Sequence, residues 1–542
     1  MNNLLLETKK FFLTKQKTII SSAAVVGVMI LISRLFGFLR YRILAGYFNK
    51  SELDIFFASF RIPDFVFEIL ITGAVSSAFI PIFIKYQKNQ DKVNENISSI
   101  INIISLIFFG FVIALYIFAD NLIPLMTPGF SGEKIQIIIN YSKILLIGQL
   151  PFMIFASFLT GLGHANKIFI LSAIAPIAYN VSIIIATILF ADKLHLIAPI
   201  IGVIAGSFLL FITQIPLMFN SGFSYLPILK ITKGLKEFFG MIVPRVITVL
   251  SAQIDATVDL ILTSLLGAGS YTIFYLAQHL QLLPVSILGI SFGQASLPYL
   301  SELYQDKKFD EFKKLIIDSI LSIFFLTIPI MSFFLFARTP LVRLFFGGDK
   351  FDWDATVQTA LTLSYFALSI PLHSIYYFIT RCFYAFLDSK TPFYTSVFAI
   401  LVNILLSTYF IFILKLPVWS LGVSFSISIT LNVLLLLYFL AKRLKGLNIK
   451  LMVIESIKIL SATFITSFFV YWEMKLLDGL IFDTTRTINV FYLLSTGAIS
   501  FLIFYALLSW MIEVKEIKII FDFIKKAKFY KKRVVEIYTD VE

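Results

Sequence analysis

Seven ionisable residues lie in two consecutive apolar stretches between Ser33 and Tyr86: Arg34, Arg40, Arg42, Asp54, Arg61, Asp64 and Glu68. In hydrocarbon each such charge costs from about 2.5 to more than 10 kcal/mol. Keeping them on membrane-length helices requires a water-filled path or a mutual network. Asp54, Arg61 and Glu68 are spaced by seven and Asp64 follows Arg61 by three, so the four share one helical stripe. Two readings fit the stripe: an ion-pair ladder that only joins helices, or one wall of a substrate path. The first stretch favours the path, because Arg34, Arg40 and Arg42 have no acid of their own there. Over both stretches four arginines meet three carboxylates, and guanidinium groups suit an anion such as a phosphate.

A second polar set follows farther along. Arg245, Asp255 and Asp259 fall on one apolar stretch, and Gln278, His279 and Gln281 precede Pro284 on the next. His279 is read either as a neutral hydrogen-bonding residue between helices or as a cation lining a cavity. Lys143 is expected to snorkel towards an interface. No GxxxxGK[ST], HExxH or GxSxG motif occurs, so neither nucleotide-driven transport nor hydrolysis is indicated. A transporter drawing on an ion gradient, the membrane potential or its substrate gradient is expected instead of an enzyme. Cys382 is the only cysteine, which excludes an intramolecular disulfide, and the four histidines lack metal-ligand spacing.

The elements that must carry these residues are membrane helices. Of 542 residues, 58% are hydrophobic and only 14% charged, and many apolar runs exceed the roughly 20 residues that span a bilayer. Reading runs between polar breaks predicts an all-α polytopic protein of fourteen spans. The predicted organisation is a cytoplasmic segment 1–18, an N-lobe 19–219 with spans 1–6, and an amphipathic linker 220–237. A C-lobe 238–441 follows with spans 7–12, then two extra spans within 452–511 and a basic tail 512–542. The three most charged spans are 19–47, 53–84 and 238–266. Pro63, Pro151, Pro244, Pro284 and Pro371 fall within spans and predict kinks.

Ser77-Ala-Phe-Ile-Pro81 closes the second span and Gln294-Ala-Ser-Leu-Pro298 the eighth. Six spans separate them, so two parallel six-helix lobes around a cavity are expected. The net charge of +13 is read as a topology signal, not as nucleic-acid binding. Lysines and arginines cluster at the N-terminus and in the 85–96, 220–237 and 442–450 loops and the tail. The positive-inside rule therefore predicts both termini in the cytoplasm. The tail, with lysines among Ile and Phe, is expected to lie on anionic membrane lipid or to form a solvated helix.

The runs SRLFGFLRYRILAGYF and DIFFASFRIPDFVFEILITGAVSSAFIPIF resemble the MurJ (MviN) family of lipid II flippases. So do PRVITVLSAQIDATVDLILTSLL, LLPVSILGISFGQASLPYLS, APIAYNVSII and RCFYAFLDSKTP; the resemblance covers about 19–445. It implies the fourteen-helix plan of the multidrug/oligosaccharidyl-lipid/polysaccharide exporter superfamily. It also implies a substrate, undecaprenyl-diphosphate carrying the peptidoglycan disaccharide-pentapeptide, moved from the inner to the outer leaflet of the bacterial cytoplasmic membrane by alternating access. Arg34, Arg40 and Asp54 fall on family positions important for function, the arginines being expected to contact the diphosphate. The chain departs from the family at Phe67-Glu68 in place of a basic pair, at Thr72 before Gly73 in place of an acid, and at His279 in place of an arginine. Arg61 and Arg245 are candidates for the compensating charge. Some members bind sodium, for which Asp255, Asp259 and Asn403 are the candidates here, with Ser407 where an acid would be expected. Competing readings are a flippase for another polyprenyl-diphosphate oligosaccharide, a drug/cation antiporter of the superfamily, or a scaffold recruiting cell-wall synthesis enzymes.

Overall fold

The computed structural model describes residues 19–69, 78–87, 89–166, 168, 170–220 and 223–519. Side chains are described from Leu31 on, except at 220, 243–245, 247 and 248. The segment 1–18, the tail beyond 519, Thr72, Gly73 and Ser77 lie outside the described residues, and so does the Arg245 side chain.

Helices run in the order α1 Ile19–Tyr47, α2 Lys50–Ser59, α3 Arg61–Glu68, α4 Ile80–Tyr86, α5 Gln90–Met126, α6 Gly132–Gly148 and α7 Leu150–Ala165. Next come α8 Ile170–Leu194, α9 Ile197–Asn220, α10 Lys233–Leu265, α11 Ser270–Pro284, α12 Ser291–Gln305, α13 Phe309–Phe336 and α14 Arg338–Phe346. The series ends with α15 Trp353–Ala367, α16 Ile370–Ala385, α17 Lys390–Thr408, α18 Trp419–Arg443, α19 Ile449–Leu480 and α20 Thr487–Met511. Among the described residues the only β feature is one antiparallel bridge, Gly348 to Phe351.

Among the described residues, nine helices are long and apolar enough to cross a membrane, and two bent pairs raise the total to eleven. These match eleven of the fourteen expected spans. The other three, 19–47, 53–84 and 238–266, are the charge-bearing ones, present as α1, α2–α4 and α10. Expected kinks at Pro151 and Pro371 are bends of 42° between α6 and α7 and 44° between α15 and α16. Each proline sits in the first turn of the second helix of its pair, where a missing N–H is tolerated. Pro284 ends α11, and a π-helical segment Val285–Ile290 follows.

The chain divides into two compact units, Met1–Ile273 with Phe345–Ala355, and Phe274–Leu344 with Thr356–Glu542. Apolar attraction between helices is weak in lipid, so close packing at small residues and hydrogen bonds must hold each unit. In the first unit Gly206 leaves room for α8, since a Cβ there would stand 2.8 Å from the Tyr179 carbonyl oxygen. In the second, a Cβ at Gly289 would stand 2.6 Å from Ser374 Cα, so the π-helical segment lies directly on α16. Around α16 a cluster of Phe312, Ile316, Phe378, Cys382, Phe383, Leu436 and Leu440 is buried.

The connection before α10 is extended, with its backbone pinned to the polar first turns of α5. Asn94 accepts from Ser224 N–H at 2.9 Å, Ser98 accepts from Leu226 N–H at 2.8 Å, and Asn102 donates to the Leu226 and Ile228 carbonyls.

Candidate functional site

The charged path of the first unit begins with a break in a helix. Pro63 has no N–H to offer the Ser59 carbonyl four residues earlier, and the chain divides into α2 and α3 at Phe60. The orphaned oxygen is satisfied from α6, where Ser142 Oγ donates to Ser59 O at 2.9 Å. This arrangement directs Arg61, the first residue of α3, towards α10. Its Nη2 donates to the Gln253 carbonyl at 2.8 Å and to Gln253 Oε1 at 2.6 Å, and its Nε donates to Thr257 Oγ1 at 3.2 Å.

Acids surround this guanidinium without taking its hydrogen bonds. Asp64, one turn beyond Arg61, lies in the field of Arg61, Glu68 and Arg40. Asp259 on α10 is buried, and its charged neighbours are Asp255, one turn earlier, and Arg61. Tyr179 stands near Arg40 and Asp64, and Tyr271 near Arg61, Asp64 and Asp259. Arg61 thus positions α3 against α10 at the centre of a mixed-charge cluster, its Nε and Nη2 donors engaged by neutral oxygens.

The α1 arginines are differently placed. Arg34 is exposed and takes part in no ion pair among the described residues. Arg40 is half-buried, its guanidinium 4.6 Å from the centroid of the Tyr41 ring, and Arg42 is half-buried too. Once α10 is counted, its acids offset the positive excess expected from the first two spans alone. Capacity for an incoming anion lies with Arg34 more than with Arg61.

Asp54 sits elsewhere. It is fully buried and accepts from Gly269 N–H at 2.5 Å, Thr272 N–H at 2.8 Å and Thr272 Oγ1 at 2.9 Å. Its carboxylate caps the start of α11, satisfying amides that helix geometry leaves without partners and facing the positive end of the helix dipole. The expected stripe of Asp54, Arg61 and Glu68 is interrupted at Phe60, and no ion pair joins Asp54 to Arg61 among the described residues. Glu68 is exposed.

In the second unit, His279 Nδ1 donates to the Tyr275 carbonyl at 2.8 Å and the ring lies against Tyr275, centroids 4.0 Å apart. Gln281 is fully buried and donates to Ser369 Oγ at 2.9 Å. Asn403 is buried on α17, and one turn on the Ser407 and Ser424 hydroxyls pair at 2.6 Å. The sodium candidates therefore divide between the units, Asp255 and Asp259 in the first and Asn403 in the second. Among the described residues no group of three or more His, Cys, Asp or Glu could hold a metal ion. Arg61 lies in the field of Asp259, and the Ser407 hydroxyl is taken up by that of Ser424. The second unit also contains an apolar groove of about 480 Å³ between α11, α13 and α20, lined by Pro284, Ile287, Phe325, Pro329, Phe501 and Tyr505 among others. Its one hydroxyl, that of Tyr505, donates to the Phe325 carbonyl, so the groove suits hydrocarbon.

Gln253, Thr257 and Ser142 did not stand out in the sequence. Their only signal is polarity within an apolar run, with Gln253 and Thr257 one turn apart on the helix that also carries Asp255 and Asp259.

The family model described as "Lipid II flippase MurJ" matches residues 44–491. The chain belongs to the MurJ family. Its similarity runs nearly end to end: "Probable lipid II flippase MurJ" of Buchnera aphidicola subsp. Schizaphis graminum is 28% identical, over 90% of this chain and 96% of the relative. "Lipid II flippase MurJ" of Thermosipho africanus is 29% identical, over 78% of this chain and 86% of its own. A solved MurJ structure, "Lipid II flippase MurJ, inward closed conformation", superposes with a TM-score of 0.74 at 27% identity, covering 90% and 99% of the two chains. An inward-facing MATE transporter of the MOP superfamily follows at a TM-score of 0.66 and 13% identity, a likeness of fold alone. MurJ membership agrees with the all-α, multi-span architecture and with a transporter in place of an enzyme.

Proposed function

We propose that this MurJ-family chain flips lipid II, the undecaprenyl-diphosphate-linked peptidoglycan precursor, from the inner to the outer leaflet of the bacterial cytoplasmic membrane by alternating access. The observation that carries this reading is the family match over 44–491, which contains Arg61, the Asp255–Asp259 pair and all of α2–α19. The exposed Arg34 and the half-buried Arg40 on α1 support it chemically. A diphosphate accepts several charge-assisted hydrogen bonds, and a guanidinium supplies them at any physiological pH. A cationic drug would meet repulsion from the same residues, which disfavours the antiporter reading. Arg61, engaged by Gln253 and Thr257, orients α3 and acts on the substrate through position. The basic loops support a cytoplasmic location of both termini. Lipid II is the partner this reading names, and cell-wall synthesis enzymes are the neighbours that would consume it.

The test is complementation of a bacterium depleted of its own MurJ, together with flipping of lipid II in vesicles containing the purified protein. Growth rescue with flipping supports the reading. Rescue by the Arg34→Ala/Arg40→Ala double variant would remove its chemical basis, leaving a scaffold as the better account.

A further inference from the structure

A short segment between α14 and α15 is built as a fastener. Residues Phe345–Ala355 belong to the first unit, although the flanking parts of both helices belong to the second. The segment turns on itself through the Phe351 N–H, which donates to the Gly348 carbonyl at 3.2 Å. Phe346 is fully buried and Phe351 nearly so. The Phe345 ring lies 4.7 Å from that of Phe38 on α1, and the Phe346 ring 6.3 Å from that of Tyr41. Between these anchors the backbones meet without side chains, since a Cβ on Gly348 would stand 2.6 Å from Gly46 Cα and 2.7 Å from the Ala45 carbonyl oxygen.

Charge completes the seat. Lys50 at the start of α2 pairs with Asp352 at 3.6 Å and with Asp354. Asp352 also accepts from Ala355 N–H at 2.7 Å, capping α15, so the lysine reaches a group that organises the far end of the segment. The Lys50 stem packs on Gly269, whose φ of +88° and lack of side chain make room for it. The Lys50 carbonyl accepts from Thr272 Oγ1 at 2.9 Å, one turn from the Asp54 cap. Nearby, Lys134 donates to Ser51 Oγ.

We propose that Phe345–Ala355 is a releasable strap, seated on α1 and α2 and held there by Lys50 with Asp352 and Asp354. The side chains of Asp352 and Asp354 are 61% and 64% exposed, so their pairs with Lys50 are solvated and break and remake readily, whereas a buried pair would lock the seat. In the orientation given by the flippase reading, on which this inference rests, the strap lies on the outer side. There it must lift and reseat as access alternates, and Lys50 is a positioning residue for transport.

Ala45 is fully buried and its carbonyl oxygen lies against Gly348, so a thiol placed there reports on the strap. In a Cys382→Ser background the Ala45→Cys variant, in lipid nanodiscs open to both faces, is reacted with a maleimide. The labelling rate should rise with salt as the pairs are screened. Lys50→Glu should raise it about fivefold at low salt and reverse the salt response, because salt screens the repulsion between the new carboxylate and Asp352 and Asp354. Combining Lys50→Glu with Asp354→Lys, which leaves the Asp352 cap in place, should restore slow labelling, and Gly348→Ala should speed it whatever the salt. Parent-like labelling in a Lys50→Glu protein with parent-like melting overturns the strap, as does a charge swap that fails to restore it. These readouts need no lipid II. If they hold in a protein that does not flip lipid II, the strap stands and the proposed function falls.

Discussion

At the scale of residues, the charges between Ser33 and Tyr86 divide into two kinds of work. In the proposed function Arg34 and Arg40 are the groups that meet the diphosphate, whereas Asp54 caps α11 and Arg61 donates to Gln253 and Thr257. Arg34→Ala or Arg40→Ala should therefore reduce lipid II flipping to background while the protein still reaches the membrane and melts normally. Flipping in vesicles alongside a thermal melt separates the two effects. Asp54→Ala should behave in the opposite way. It strands the N–H groups of Gly269 and Thr272 in a buried position, while the Thr272 hydroxyl keeps the Lys50 carbonyl, and unfolding stability should fall by about 3 kcal/mol. A denaturant titration in detergent reads this directly, and an unchanged midpoint would deny Asp54 its capping role.

At the scale of elements, the break between α2 and α3 is where a local rule needs a distant partner. Pro63 dictates a missing hydrogen bond at Ser59, and Ser142 on α6 supplies the donor. Ser142→Ala should cost about 1 kcal/mol and loosen the direction of α3, with Arg61 losing register on Gln253 and Thr257. Lower melting together with impaired flipping is expected, and Ser142→Thr, which keeps the hydroxyl, should recover both. If Ser142→Ala melts and flips like the parent, water supplies that donor equally well.

At the scale of the whole molecule, the question is what drives export without a nucleotide site. Lipid II carries a diphosphate and peptide carboxylates, so its export moves negative charge away from a negative cytoplasm. Each net charge crossing the full field gains about 2.3 kcal/mol per 100 mV. Arginines that return to their starting positions each cycle do not cancel that gain. Initial flipping rates in liposomes under potassium-diffusion potentials, with sodium and pH clamped, should be faster when the side that donates lipid II is negative. Equal rates at both signs would mean that little net charge is translocated, and an ion-coupled exchange would then be the better account.

Much of this protein was legible in its sequence, because the properties concerned are local. Apolar runs of bilayer length specify membrane helices wherever they occur, since no other open structure satisfies its own backbone in lipid. Prolines at 151 and 371 mark bends because the lost N–H belongs to the residue itself. The three spans richest in charge were visible for the same reason. Where each charge ends up was not legible. Asp54 finds its partners 215 and 218 residues later, and Arg61 finds Gln253 and Thr257 at separations of 192 and 196. A helical stripe describes which side chains share a face, but not which neighbouring helix passes it, nor that the stripe breaks at Phe60. The seating of Phe345–Ala355 on α1 and α2 was hidden likewise, since glycine against glycine leaves no pattern in composition. Hydrogen-bond destinations and backbone contacts are set by which segments meet in three dimensions, and that only the tertiary structure decided.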